Sequence, residues 1–191
     1  MINLILFGKP GAGKGTQAEF IKNTYNLIHI STGDLFRNNI KNKSQLGVLA
    51  KSYMDKGDLV PDQVTIDMLK NEVSINRNVN GFIFDGFPRT ISQAQALDFF
   101  LESIKMEITA TISLEAEDSI LEKRLIKRGH LSGRTDDQDI DKIRNRFKEY
   151  NVKTAPLKQY YSSIDKLHIV NGIGEIHEIR DSLSKLMNQI R

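Results

Sequence analysis

A chain of 191 residues with 39% apolar and 27% charged side chains has the size and balance of one folded domain with a full core. Its 27 basic and 24 acidic residues leave a net charge of only +3, and without a basic stripe interleaved with aromatics this argues against a nucleic-acid binder. The absence of cysteine excludes disulfides and thiolate metal sites, and fits a reducing compartment.

Ile2–Phe7 is apolar except for Asn3 and reads as a strand buried on both faces. It is too short for a signal peptide, and no run approaches the ~20 apolar residues of a membrane span. A cytoplasmic protein without membrane association is therefore expected. A helix is expected over Lys14–Tyr25 and a second strand over 27–31, "LIHIS". Residues 31–60 read as helical but add no strand. A helix over Gln63–Val73 follows, then a strand in "GFIFDGF" (81–87), a helix over Ser92–Leu101, a strand over 108–114 and a helix over Asp118–Lys127. Residues 129–139, "GHLSGRTDDQD", are polar with two glycines. Beyond them come helices over Asp139–Tyr150 and Pro156–Ile164, a strand over 166–170, and a last helix marked by Ile176, Ile179, Leu183, Leu186 and Ile190.

Strands alternating with helices predict an α/β fold: a three-layer α/β/α core around a five-stranded parallel sheet, one domain over 1–191. The segments 31–60 and 129–139 fit this plan poorly. They read as insertions over the carboxyl edge of the sheet, where such folds bind ligands.

The stretch "GKPGAGKGTQ" (8–17) supplies the chemistry. It follows a predicted strand and opens a predicted helix. Glycines there let successive backbone N–H groups point into one concavity at a helix N-terminus, which favours phosphate. Lys14 adds a mobile charge for the outer phosphates, and Thr16 a hydroxyl near a magnesium ion, although Gly15 separates it from the lysine. Asp85, closing "FIFD", is either the acidic partner of magnesium or a strand-end cap.

Arg37, Arg89, Arg128, Arg134 and Arg146 all fall on or beside the insertions, whereas Arg124 and Arg144 read as surface or paired charges. Phosphoryl transfer needs alignment and charge neutralisation more than covalent help, and guanidinium groups grip phosphate oxygens in pairs. No general base stands out near these arginines. An acceptor that is itself a phosphate, with a second pKa near about 6, would not need one.

Read together, "GKPGAGKGTQ", "STGDLFR" (31–37), "DGFPRT" (85–90), "SGRTDD" (132–137), "TAPL" (154–157) and Gly174 of "NGIGEI" resemble the adenylate kinase family in its short-lid form, from residue 2 to about residue 180. The resemblance implies MgATP + AMP ⇌ MgADP + ADP, with 31–60 as an AMP-binding flap and 129–139 as a lid. It implies ATP contacts at Gly11, Ala12, Gly13, Lys14, Gly15, Thr16, Arg128 and Gly174. It implies AMP contacts at Thr32, Arg37, Asp58, Leu59, Val60, Gly86, Phe87, Pro88, Arg89 and Gln93, with Arg134 and Arg146 at the AMP side and the moving phosphate. Lys14, Arg89, Arg128, Arg134 and Arg146 would carry the catalysis. Thr16, Asp34 and Asp85 would hold magnesium through water, and a monomer is expected.

Lys9 departs from the small residue or proline usual there and is expected to point to solvent. Without cysteines the lid cannot form a zinc knuckle, and His130 alone is no metal site. A UMP/CMP kinase shares the fold and chemistry, but Thr32, Thr90 and Gln93, whose amide can both donate to and accept from an adenine edge, favour AMP. A slow phosphate-loop switch protein would leave the insertions and arginines unexplained.

Overall fold

The computed structural model describes residues 1–76 and 78–190. In chain order it contains β1 (Ile2–Phe7), α1 (Lys14–Tyr25), β2 (Ile28–Ser31), α2 (Thr32–Lys41), α3 (Gln45–Met54), α4 (Asp62–Ile75), β3 (Gly81–Asp85) and α5 (Ile91–Ser103). Then follow β4 (Ala110–Glu115), α6 (Asp118–Ser132), a 3-10 turn (Thr135–Asp137), α7 (Ile140–Glu149), a π-helical turn (Tyr150–Thr154), α8 (Pro156–Ser162), β5 (Leu167–Asn171) and α9 (Ile176–Gln189). The five strands pair in parallel in the order β2-β3-β1-β4-β5, as the alternating pattern predicts.

The largely apolar character of β1, interrupted only by the buried Asn3, follows from its central place. Successive side chains of a strand alternate between faces. Leu4 and Leu6 enter one core with Ala18 and Ile21 of α1, Leu121 and Leu125 of α6, and Leu183 of α9. Ile5 and Phe7 enter the opposite core with Leu69 of α4, Leu97 of α5 and Tyr161 of α8. Helices therefore cover both faces. A third, small core of Phe36, Ala50 and Val60 lies in the 31–60 segment, whose helices α2 and α3 add no strand.

The register puts the carboxyl ends of three strands level, since Leu6 and Ser31 both lie opposite Asp85. The chain leaves β1 toward β2 on one side and later returns to place β4 on the other. A crevice opens at this reversal, at the carboxyl ends of the strands, the usual ligand position in such sheets.

Two expectations need correction here. The helix expected over Asp118–Lys127 runs to Ser132, so the first four residues of the expected 129–139 loop are helical. Gly129 does not break α6 because it is needed there for packing: a Cβ on it would sit 2.7 Å from the Asp137 carbonyl oxygen. The helix stops at Gly133, whose φ of 69° suits glycine and whose N–H reaches the Gly129 carbonyl at 3.0 Å. Second, Ile176 opens α9 but is 52% exposed, while Met187 joins Ile179, Leu183 and Leu186 in the core. Among the described residues no helix is long and apolar enough to cross a membrane.

Candidate active site

A cleft of about 710 Å³ occupies the carboxyl edge of the sheet. Its floor is the 8–17 loop. Gly8 turns out of β1 at φ 139°, where a Cβ would lie 2.5 Å from the Leu114 carbonyl oxygen, and Gly13 starts α1 at φ 90°. The first N–H groups of α1 have no intrahelical acceptor, and no acidic residue lies in its first turn, so the loop presents a partial positive charge to the cleft. Lys14 Nζ donates to the carbonyls of Gly8 (2.7 Å) and Lys9 (3.1 Å), which hold the ammonium over the loop. Burial pushes this lysine down to about 8; Asp85 opposes the shift, and Arg89, Arg146 and Arg128 add to it.

Lys9 does not point to solvent. Its Nζ pairs with Asp118 Oδ1 at 2.7 Å and lies 5.6 Å from the Phe147 ring centroid, fastening the loop to the start of α6.

The sequence-predicted arginines converge on this cleft, and so do Gly11 to Thr16, Asp34, Asp58, Leu59, Asp85 and Gly174. Carboxylates steer four of the guanidinium groups. Asp137, with no exposed surface, accepts from Arg128 Nε (2.6 Å) and an Arg128 terminal nitrogen (3.0 Å), and from Arg146 at 2.7 Å. Burial pushes the Asp137 carboxyl up, but Arg128 and Arg146 outweigh it and hold it below the usual carboxylate value. Asp34 pairs with Arg37 one helical turn away and, at 3.4 Å, with Arg134 from the second insertion. Burial again pushes up and the arginines win, leaving Asp34 below its ordinary value.

Arg89 is held differently. Its Nε donates to the Gly86 carbonyl (2.6 Å), and its own carbonyl accepts from Thr154 Oγ1 (2.9 Å) in the π-helical turn. That bond explains the "TAPL" segment: Thr154 anchors the backbone of the arginine. Burial, helped by the like charge of Arg146, pushes the Arg89 guanidinium down to about 10, so it remains charged at neutral pH.

A second pocket of about 40 Å³ opens beside Arg89, lined by Thr32, Val60 and Gln93 together with Asp58, Leu59 and Arg89. Thr32 Oγ1 donates to the Gly86 carbonyl at 2.9 Å. Gly86 and Pro88 face the large cleft, but Phe87 does not share the site: it is 1% exposed and packs into the core against the α4 and α5 face. Gln93 lines this small pocket. Both ends of its amide are already engaged, Oε1 by the Arg89 N–H (2.7 Å) and Nε2 by Asp62 Oδ1 (2.7 Å).

Three residues that sequence reasoning passed over belong here. His29 Nε2 lies 3.3 Å from Asp85 Oδ2 at the strand ends. Arg124, expected to be an ordinary surface or paired charge, lines the cleft and donates to the Gly172 carbonyl at 2.9 Å, whereas Arg144 does pair with Glu122 at 3.1 Å. Asn145 of α7 donates to the Lys56 carbonyl (2.9 Å) and to Asp58 Oδ1 (3.1 Å). His130 lies exposed on α6, and among the described residues no three His, Cys, Asp or Glu side chains cluster to hold a metal. Asp34, Asp85 and Thr16 offer oxygens, the donors a hard cation such as magnesium prefers.

A parallel sheet that brings a glycine-rich loop, a lysine and a ring of arginines to one crevice defines a phosphate-loop nucleotide-binding protein. Comparison with known proteins narrows this. The family model described as "Adenylate kinase" matches residues 6–166. The chain is similar to the adenylate kinase of Flavobacterium psychrophilum, with 64% identity over 190 residues covering 100% of each chain. It is also similar to those of Flavobacterium johnsoniae (56% over 190 residues) and Parabacteroides distasonis (43% over 191 residues), again covering 100% of each chain. The chain belongs to the adenylate kinase family.

Proposed function

We propose that this protein transfers the terminal phosphoryl group of MgATP reversibly to AMP, giving two ADP. The observation that carries the reading is the position of Arg89, which lines both the large cleft and the small pocket beside it. A triphosphate along the 8–17 loop and a monophosphate whose base enters the small pocket would meet at this guanidinium. Lys14, Arg128, Arg134 and Arg146 would neutralise the charge on the phosphoryl group as it moves. Arg37 would hold the acceptor phosphate.

The donor nucleotide would lie along Gly11 to Thr16, its base between Gly174, Arg124 and the exposed Ile176. Thr32, the Asp58–Val60 backbone, Gly86 and Gln93 would surround AMP. Asp34, Asp85 and Thr16 would hold the water around a magnesium ion brought in with ATP, which would supply charge neutralisation. The α2–α3 segment would act as a flap and the segment after α6 as a lid. Their contact through Asp34 and Arg134 supports a closed site that keeps water from the phosphoryl group.

The test is an assay for ADP with MgATP and each of AMP, UMP, CMP and GMP, plus ATP alone. Rapid ADP formation with AMP is expected. Preference for UMP or CMP would keep the chemistry and overturn the base assignment, and equal turnover without an acceptor would overturn the transfer itself.

A further inference from the structure

Gln93 is 1% exposed, and its amide is oriented by two partners of fixed polarity. The Arg89 backbone N–H can only donate, and it meets Oε1 at 2.7 Å. An ionised carboxylate can only accept, and Asp62 Oδ1 meets Nε2 at 2.7 Å. Asp62 is the first residue of α4, directly after Val60 and Pro61 at the end of the first insertion. Its other oxygen takes hydroxyl hydrogens from Thr90 (2.7 Å) and Ser92 at the start of α5, and Thr90 in turn caps the Gln93 N–H at 3.2 Å. Burial pushes the Asp62 carboxyl up, but the bonds from Ser92, Thr90 and Gln93 outweigh it and hold it below its ordinary value. At neutral pH it is therefore an acceptor alone.

A flipped Gln93 amide would set its oxygen against the Asp62 carboxylate and its NH₂ against the Arg89 N–H. Two repulsions would replace two hydrogen bonds. The amide thus keeps one orientation and offers the pocket one remaining N–H and one remaining oxygen lone pair.

From this we infer that Asp62 is a positioning residue for base selectivity: by locking the Gln93 amide it makes the acceptor pocket favour a 6-amino purine over a 6-oxo purine. An adenine edge carries a donor at the 6-position and an acceptor at N1, and a hypoxanthine edge carries the reverse. A fixed amide matches one pattern only, whereas an amide free to flip matches both. The inference rests on the proposed role of Gln93 in reading the acceptor base.

AMP and inosine 5′-monophosphate differ only at this edge, so they are the probes. The ratio of kcat/KM for AMP over IMP, with MgATP as donor, is measured for the wild type, Asp62→Ala, Asp62→Asn and Gln93→Leu. Asp62→Ala is expected to lower the ratio about tenfold, the scale of one well-aligned pair of hydrogen bonds. Asp62→Asn keeps the shape of the side chain and is expected to lower the ratio less, because an amide can present either polarity to Gln93. A purely structural role for Asp62 would lower melting temperature and both activities together, leaving the ratio unmoved.

A wild-type ratio retained in whichever Asp62 variant folds, while Gln93→Leu loses it, overturns the clamp and spares the base-reading role of Gln93. A ratio unchanged in Gln93→Leu overturns that role and the clamp with it.

Discussion

Asp137 joins Arg128 at the end of α6 to Arg146 on α7, and has no exposed surface. The pairing arranges two guanidinium groups side by side that would otherwise repel. Removing the negative charge weakens the paired bonds to Arg128 and leaves Arg146 with Asp136, at 3.0 Å, as its remaining carboxylate partner. Asp137→Asn is expected to lower unfolding stability by about 2 kcal/mol, below the range for a fully buried pair because Arg128 is partly exposed. The pH dependence follows from the lowered carboxyl. Its stabilising contribution is present above the ordinary aspartate value and is lost as pH falls through the lower folded value. Urea unfolding of wild type and variant between pH 7 and acid, about pH 2, checks both; curves that stay parallel throughout would contradict the pairing.

Lys14 is expected to couple nucleotide binding to proton uptake. In the free protein its pKa is down at about 8, so it loses its proton as pH rises past that value. A bound triphosphate favours the charged form and restores the proton. Binding of MgATP at a pH one unit above that value should therefore take up protons, and the apparent Kd should weaken as pH rises. Calorimetry in two buffers of different ionisation enthalpy reads the uptake directly. Lys14→Arg, which keeps its charge, should abolish it.

Asn145 connects α7 to the exit of the first insertion at Lys56 and Asp58. Gly57 makes the approach possible, since a Cβ there would come within 3.0 Å of the Lys142 carbonyl oxygen. Asn145→Asp sets a second carboxylate against Asp58 and a carbonyl. KM for AMP should rise about threefold to tenfold, the value of one or two hydrogen bonds, while KM for MgATP stays near the wild-type value. Equal changes in both constants would show a general rather than a local effect.

Arg89→Ala removes the guanidinium shared by the two cavities. Loss of kcat by about a hundredfold or more is expected from steady-state assays with saturating AMP. A rate within a few-fold of wild type would sink the proposed acceptor geometry.

Much of this architecture can be read from residue order. The buried strands declare themselves by short, mostly apolar runs, and Ile2–Phe7 and Lys14–Tyr25 coincide with β1 and α1. The glycine loop is local in sequence and local in space, so its pattern carries its geometry. Some misreadings have a different cause, a partner far along the chain. Lys9 finds Asp118, 109 residues on, and Arg124 finds Gly172 across 48 residues; Asp62, 31 residues before Gln93, is a partner that the sequence does not announce. The helix expected to end at Lys127 runs on past Gly129, where the Asp137 backbone packs against the bare glycine. The resemblance implied an AMP contact at Phe87, yet this side chain turns inward while Gly86 and Pro88 face the cleft.

The two carboxylates Asp34 and Asp137 have a consequence for how the protein meets a crowded ionic medium. Together they occupy Arg37, Arg134, Arg128 and Arg146, whereas Lys14 and Arg89 donate to backbone carbonyls. The protein thus carries internal counter-ions for most of its cationic ring. Loose phosphate or sulfate must compete with these tethered carboxylates at four cations. A nucleotide, brought in by its base and its other phosphates, meets the same competition with far more contacts to offset it. Discrimination against stray inorganic anions is in this way built into the acidic side chains among the arginines.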